Sequence, residues 1–479
     1  MITLCISIVV LVVGYWIYGN VIEKIFGIQP ARPTPAVSKP DGVDFVQLPT
    51  WKIFLIQFLN IAGLGPIFGA VAGALWGPVA FLWIVLGSLF AGGVHDYFCG
   101  MLSVRHGGES VSEVSGYYLG NWIKQFMRGF TVLLMIIVGA VFLLGPAKIL
   151  AGMTEGSVNL FGWTVIILAY YVLSTILPID KVIGKLYPIF GMALLFMAFG
   201  LLVAMIWQDM KVPELSLASF TNYHYKPGSF PVFPMLFVTI ACGAISGFHA
   251  TQSPLMARCI TNERQGKTVF FGAMVTEGVV ALIWAAISMS FFGGVSELNL
   301  TMLENGDNTA FMVNEISNGA LGTLGGLLAI LGVVAAPITS GDTSFRSARI
   351  IIADFMKSDQ KSIRNRLLIS APLFIVGYLL TLVNFGVIWR YFAWTNQTLA
   401  TVVLWTVTVY LIRENKNFWI ALIPSVFMTA VVVSYILLAP EGFSLPVDVS
   451  VFIGILTSFA LVVLVMFRSK SLKLAGKLN

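Results

Sequence analysis

Apolar residues run in long blocks along almost the whole chain, and polar residues gather between the blocks. Each block is close to the ~20 residues that carry an α-helix across the hydrocarbon core of a bilayer. The pattern predicts spans at 2–19, 52–74, 77–103, 127–149, 160–177, 186–207, 232–257, 269–292, 320–341, 366–387, 391–412, 418–438 and 449–467. Those thirteen helices leave no room for a soluble domain, so the expected fold class is an all-α integral membrane protein. The run from Ile2 begins without a basic leader and lacks an A-x-A-like cleavage site, so it reads as a retained first span.

Two blocks are interrupted near their middles, by "NIAGLGPIFGA" in the second span and "AISGFHATQSP" in the seventh. Gly63 lies about eleven residues into its span and Gly247 about fifteen, roughly 16 and 22 Å deep at 1.5 Å per residue. Both depths are near the middle of a ~30 Å core. Unwound backbone is tolerated there only where it lines a cavity, and interrupted spans at matching places in two halves point to inverted repeats around a binding site. Close helix packing also uses glycine and would explain one such motif; two polar ones in register favour a site. The expected division is 1–51 (first span and inner loop), 52–208 (first repeat, helices 2–6), 209–412 (second repeat, helices 7–11) and 413–479 (two peripheral helices). The half-helix after each break presents its positive end, suited to a carboxylate, and the half before it presents carbonyl oxygens suited to a cation. Gly63, Leu64, Gly65, Ser246, Gly247, His249, Thr251 and Gln252 are the expected substrate-site residues.

Composition agrees: 58% of residues are hydrophobic and 10% charged, against roughly 25% charged in soluble domains. All of the 28 Lys and Arg except Lys148, Lys211, Lys226 and Arg390 fall in alternate, inward segments when the N-terminus is outside and the C-terminus cytoplasmic. The stretch 295–319 holds Glu297, Glu304, Asp307 and Glu315 without a basic residue and is expected outside. The net charge of +6 therefore reports topology and gives no case for nucleic acid. Cys5, Cys99, Cys242 and Cys259 lack metal-ligand spacing, so neither a zinc site nor a disulfide is expected.

Ionisable residues inside a bilayer are costly and are functional candidates by default. Glu277 falls about eight residues, or ~12 Å, into the eighth span; it is a proton carrier or a structural hydrogen-bonding group. His249, at a break, binds substrate, titrates near neutral pH or is structural. His95 and Asp96 lie in the inner part of the third span, and Asp342 and Arg346 stand one turn apart in the ninth; these four are grouped as gate or ion-pair residues. Lys148 snorkels to the outer interface or attracts a carboxylate there. The stretch 221–234 is expected to close over the cavity or anchor at the interface, and 343–366 to hold an amphipathic helix on the inner leaflet.

The segments "DGVDFV" (41–46), "AGLGPI" (62–67), "ISGFHATQSP" (245–254), "VTEGVVALIWAA" (275–286) and "SGDTSFRSAR" (340–349) together resemble the carbon starvation protein A family of bacterial inner-membrane transporters, from the first span to about residue 360. His95 in "GGVHDY" stands where the family is expected to hold Gln, and the chain is shorter than the long enterobacterial members. The resemblance implies uptake of small peptides or of pyruvate, and a LeuT-type five-plus-five core of the amino acid, polyamine and organocation superfamily. In such a core the eighth helix gives hydroxyls to a sodium ion, which here implies Thr339, Ser340, Thr343 and Ser344, paired one turn apart on shared faces. Hydroxyls that bond back to the preceding turn produce the same pattern.

The expected function is a secondary importer of small peptides by alternating access, with pyruvate symport second. Na⁺ or H⁺ is the coupling ion, no other cofactor is expected, and the partners are a carboxylate-bearing solute and the lipid bilayer. No Walker-type loop supports direct use of ATP. A channel would need a continuous polar pathway, and an embedded enzyme has neither HExxH nor GxSxG to offer. Oligomeric state is open.

Overall fold

The computed structural model describes residues 1–41, 45–154, 157–176, 183–358 and 362–475, and all regular structure among them is helical. Ten helices are long and apolar enough to cross a membrane, eleven if one bent pair counts as a single span. They are α1 (Ile2–Phe26), the bent pair α2 (Thr50–Ala62) and α3 (Gly65–Gly73), α4 (Val79–Arg105), α5 (Asn121–Met153), the shorter α6 (Leu160–Ile176) and α7 (Ile183–Trp207). After the interrupted segment that yields α8 (Gly247–Ala257) come α9 (Lys267–Phe291), α10 (Gly325–Ala353), α11 (Ile363–Thr381), α12 (Phe385–Arg413), α13 (Trp419–Leu438) and α14 (Val447–Ala475). Of the thirteen expected spans, α6 and the interrupted segment fall short of the length needed for an unbroken crossing.

Helices α4, α5, α9 and α12 are buried along most of their length, whereas α1, α11 and α14 turn most side chains outward. Those outward side chains, such as Val9, Trp16, Leu379 and Phe459, are large and apolar, as a lipid solvent requires. The Met1 ammonium pairs with Glu214 at 2.6 Å, so α1 starts at the face that carries the loop 208–231. Its other end meets a basic face, where the Lys416 ammonium donates to Phe26 O and the Arg105 guanidinium to Gly27 O.

Each break has a local cause. Gly63 takes φ +25°, ψ −137°, which an L side chain rarely adopts, and Pro66 opens α3, where its fixed φ and missing N–H cost nothing. The two halves meet at 46°. In the other segment the chain leaves helical geometry at Ile240 and rejoins it at Gly247. This break lies one to two turns earlier than the sequence suggests, because His249, Thr251 and Gln252 belong to regular α8. Gly247 serves close approach instead: a Cβ there would stand 2.3 Å from the Asn396 carbonyl oxygen.

A second expectation needs correction. The helix containing α10 continues to Met356, so residues 343–356 extend a span rather than form a separate surface helix. Residues 359–361 of that stretch, and 42–44 of "DGVDFV", lie outside the described residues.

Candidate functional site

The two breaks touch. A Cβ on Gly65 would lie 2.1 Å from that of Cys242, and one on Gly243 would lie 3.8 Å from the Cα of Pro66. Backbone groups freed by the second break are taken up by side chains from two neighbouring helices. On α4, Trp83 Nε1 donates to Ile240 O at 3.0 Å and Ser88 Oγ to Gly243 O at 2.9 Å. A π-turn at Gly87–Gly92 widens α4 where Ser88 makes that contact. On α12, Gln397 Nε2 donates to Phe237 O at 2.5 Å, Asn396 Oδ1 accepts from Phe248 N–H at 2.5 Å, and Asn396 Nδ2 donates to Cys242 Sγ at 3.3 Å. Asn396 and Gln397 thus clamp both halves of the broken segment. The sequence reasoning missed them, although "WTNQT" is a polar run inside an apolar span.

Beside this break four ionisable side chains form a chain with no exposed surface. His95 Nδ1 lies 2.7 Å from Asp96 Oδ1, His249 Nδ1 lies 2.8 Å from Asp96 Oδ2, and His249 Nε2 lies 3.3 Å from Glu277 Oε2. Helices α4, α8 and α9 bring them together from widely separated parts of the sequence. An ionised Asp96 accepts both bonds, which fixes a proton on each Nδ1. The His249 Nε2 and Glu277 Oε2 then face each other across 3.3 Å. Neither Glu277 oxygen has a hydrogen bond of good geometry among the described residues.

The other expected residues divide into those at the break and those apart from it. Gly63 abuts the Phe142 ring, Leu64 packs on α5 at Gly145, and Ser246 Oγ lies 3.5 Å from Cys242 Sγ. Thr251 Oγ1 donates to Phe248 O at 2.7 Å and accepts from Gln252 Nε2 at 2.9 Å, leaving the buried Gln252 Oε1 without a partner among the described residues. The hydroxyl set on α10 is separate from the first break. Phe142 stands between them, 2.8 Å from a Cβ built on Gly63 and 3.2 Å from one built on Gly341. Thr339 Oγ1 donates to Ala336 O, and Thr343 and Ser344 both donate to Ser340 O; this is the back-bonding arrangement. Ser340 Oγ is buried without a partner among the described residues.

Asp342 and Arg346 form an ion pair at 3.2 Å, and Ser174 Oγ donates to the same Asp342 oxygen at 2.5 Å. His95 and Asp96, grouped with that pair on sequence, instead sit with His249 and Glu277. Lys148 holds its ammonium 4.8 Å over the Phe385 ring.

Two cavities flank the breaks. One of about 490 Å³ reaches Ala250 and Thr251 from the basic face, between Glu109, Arg128 and Ser347. The other, of about 70 Å³, lies on the opposite side beneath His224, Tyr225 and Phe230. The expected outer loop is therefore seated over a cavity. His224 stacks on Tyr225 and Phe230 at 4.5 and 4.7 Å. Burial among these rings, aided by Lys226 and opposed by Asp307, lowers its imidazole to a pKa of about 4.

The family model described as carbon starvation protein CstA matches residues 1–170, 148–320 and 301–435. The peptide transporter CstA of Bacillus subtilis (strain 168) is 26% identical over 523 residues, covering 88% of this chain and 87% of that protein. The pyruvate/proton symporter BtsT of Escherichia coli (strain K12) is 28% identical over 337 residues, covering 58% of this chain and 47% of that one. A solved manganese transporter of Eremococcus coleocola shares the fold with TM-score 0.54 at 13% identity, over 91% of this chain and 99% of that one. Among the described residues no group of three or more His, Cys, Asp or Glu is placed to hold a metal ion.

Proposed function

Because the chain belongs to the carbon starvation protein CstA family, we propose that it is a proton-coupled secondary importer of short peptides, with the coupling proton carried by Glu277 and His249. The observation that carries this reading is the buried His95–Asp96–His249–Glu277 chain lying against the second break. Relatives named as a peptide transporter and as a pyruvate/proton symporter support a carboxylate-bearing cargo. Pyruvate is the second substrate reading, on the strength of that symporter.

In this account helices α2 to α7 and the segment from residue 232 to α12 are inverted repeats of a five-plus-five core, with α1, α13 and α14 peripheral. The basic face is cytoplasmic, in a bacterial inner membrane. A cargo carboxylate docks at the facing starts of α3 and α8, displacing Asn396 Oδ1 from Phe248 N–H. His249 is the third residue of α8, so negative charge there favours the imidazolium and hence proton uptake by the His249–Glu277 pair. By reciprocity the proton tightens cargo binding by the same factor. Cargo and proton leave together toward the larger cavity at the basic face. Thr339, Thr343 and Ser344 donate to carbonyls of their own helix, and the relative named as a pyruvate/proton symporter favours H⁺ over Na⁺ as the coupling ion. The test is uptake of labelled dipeptide into proteoliposomes under an imposed H⁺ or Na⁺ gradient: accumulation driven by H⁺ alone supports the account, and accumulation that needs Na⁺ defeats it.

A further inference from the structure

A groove of about 710 Å³ lies between α1, α2 and α9, away from both breaks. Its walls are Val12, Tyr15, Trp51, Phe54, Val275 and Val279, nearly all apolar surface. Apart from Thr276, whose hydroxyl donates to Gly272 O of its own helix at 2.9 Å, its polar groups gather at one end. Tyr15 and Thr268 face each other through their hydroxyls at 3.3 Å, and Thr50 Oγ1 accepts from Gln265 Nε2 at 2.8 Å. From Thr268 to Val279 the helix rises about 16 Å, half of a ~30 Å hydrocarbon core. The groove is as long as one leaflet, and its polar end is at the basic face.

That end is also positive. Lys267 precedes Thr268, and its ammonium is held 2.6 Å from Asn20 Oδ1 and 5.3 Å over the rings of both Tyr15 and Trp16. Those partners orient the ammonium without neutralising it. Arg264 is exposed close by; Glu23, in the last turn of α1, lies within the field of both cations, and Glu263, next to Arg264, is buried against Arg105 at 3.0 Å. Two positive charges against one negative leave the rim cationic.

We propose that this groove binds an anionic glycerophospholipid of the leaflet at the basic face. One acyl chain lies along Val12, Phe54, Val275 and Val279, the phosphate sits by Lys267 and Arg264, and the Tyr15 and Thr268 hydroxyls meet the glycerol esters. An apolar trough in a bilayer fills with hydrocarbon whichever lipid is present. The basic rim selects the headgroup, as basic pockets beside membrane helices do. The site is independent of the transported solute.

The test is native mass spectrometry of the full chain after exchange into an equimolar mixture of phosphatidylglycerol and phosphatidylcholine with identical acyl chains. Wild type is expected to retain phosphatidylglycerol at least fivefold over phosphatidylcholine. Lys267→Ala with Arg264→Ala brings the ratio near one while lipid is still retained. Val12→Trp, at a half-exposed position on the trough wall, lowers retention of both lipids. Melting curves confirm that each variant is folded. Equal retention of the two lipids by wild type, or a ratio unchanged in the double variant, overturns the proposal.

Discussion

Replacing Glu277 by Gln should separate transport from its driving force. The side chains have the same shape, but the amide cannot release a proton, so the site shared with His249 Nε2 at 3.3 Å no longer exchanges one. Folding should survive, because neither Glu277 oxygen has a well-formed hydrogen bond to lose, and removing a buried carboxylate avoids the cost of dehydrating it. The thermodynamic consequence can be worked out. One proton moving down one pH unit releases about 1.4 kcal/mol, a tenfold accumulation. A potential of 100 mV adds about 2.3 kcal/mol per charge, or roughly fiftyfold, when the cargo is a net-neutral dipeptide. A monoanion such as pyruvate cancels the proton's charge and gains only the pH term. Wild-type proteoliposomes should thus accumulate labelled dipeptide at least tenfold per pH unit, and Glu277→Gln should stop at equilibrium while still exchanging labelled for unlabelled dipeptide. A variant that accumulates like wild type refutes the role given to Glu277, and one that loses exchange as well shows a residue needed for binding rather than coupling.

Three more outcomes follow from the same contacts. Asp96→Asn can accept only one of the two imidazole N–H bonds made at 2.7 and 2.8 Å; with charge-assisted bonds near 1.5–3 kcal/mol each, its melting temperature should fall and coupled uptake vanish, whereas His95→Gln keeps an N–H for Asp96 and should retain most of both. Gly247→Ala forces a methyl to 2.3 Å from the Asn396 carbonyl, and because backbone must yield it should cost about 1–3 kcal/mol or more, seen as poor folding by size-exclusion chromatography, while Gly129→Ala, which meets no neighbour within 4 Å, should behave as wild type. His224 binds protons less well folded, at about 4, than unfolded, so its contribution to stability is intact above about pH 6.5, declines as pH falls toward 4 and is absent below; melting curves across that range should flatten in His224→Phe.

How much of this was legible in sequence depends on the kind of signal. Hydropathy located nearly every membrane helix, because lipid forces apolar side chains outward on peripheral helices such as α1 and α14 as firmly as packing does inside. Gly63 marked its own break, since a positive φ needs glycine. Gly247 misled, since glycine also permits close helix contact, and there it lets Asn396 approach while the unwinding lies at 240–246. The buried chain was visible only in pieces: His95, Asp96, His249 and Glu277 each stood out as ionisable residues in lipid, but no spacing rule joins three helices. Asn396 and Gln397 escaped notice because uncharged amides in a span carry a weaker signal than charges do.

The most direct test of the account is proton movement driven by the solute itself. Proteoliposomes loaded with a pH-sensitive dye, without an imposed ion gradient and with valinomycin and K⁺ to collapse any potential, receive an inward dipeptide gradient. The account predicts acidification of the lumen with one proton per dipeptide, absent in Glu277→Gln. Dipeptide entry at the wild-type rate with no change in internal pH would contradict it.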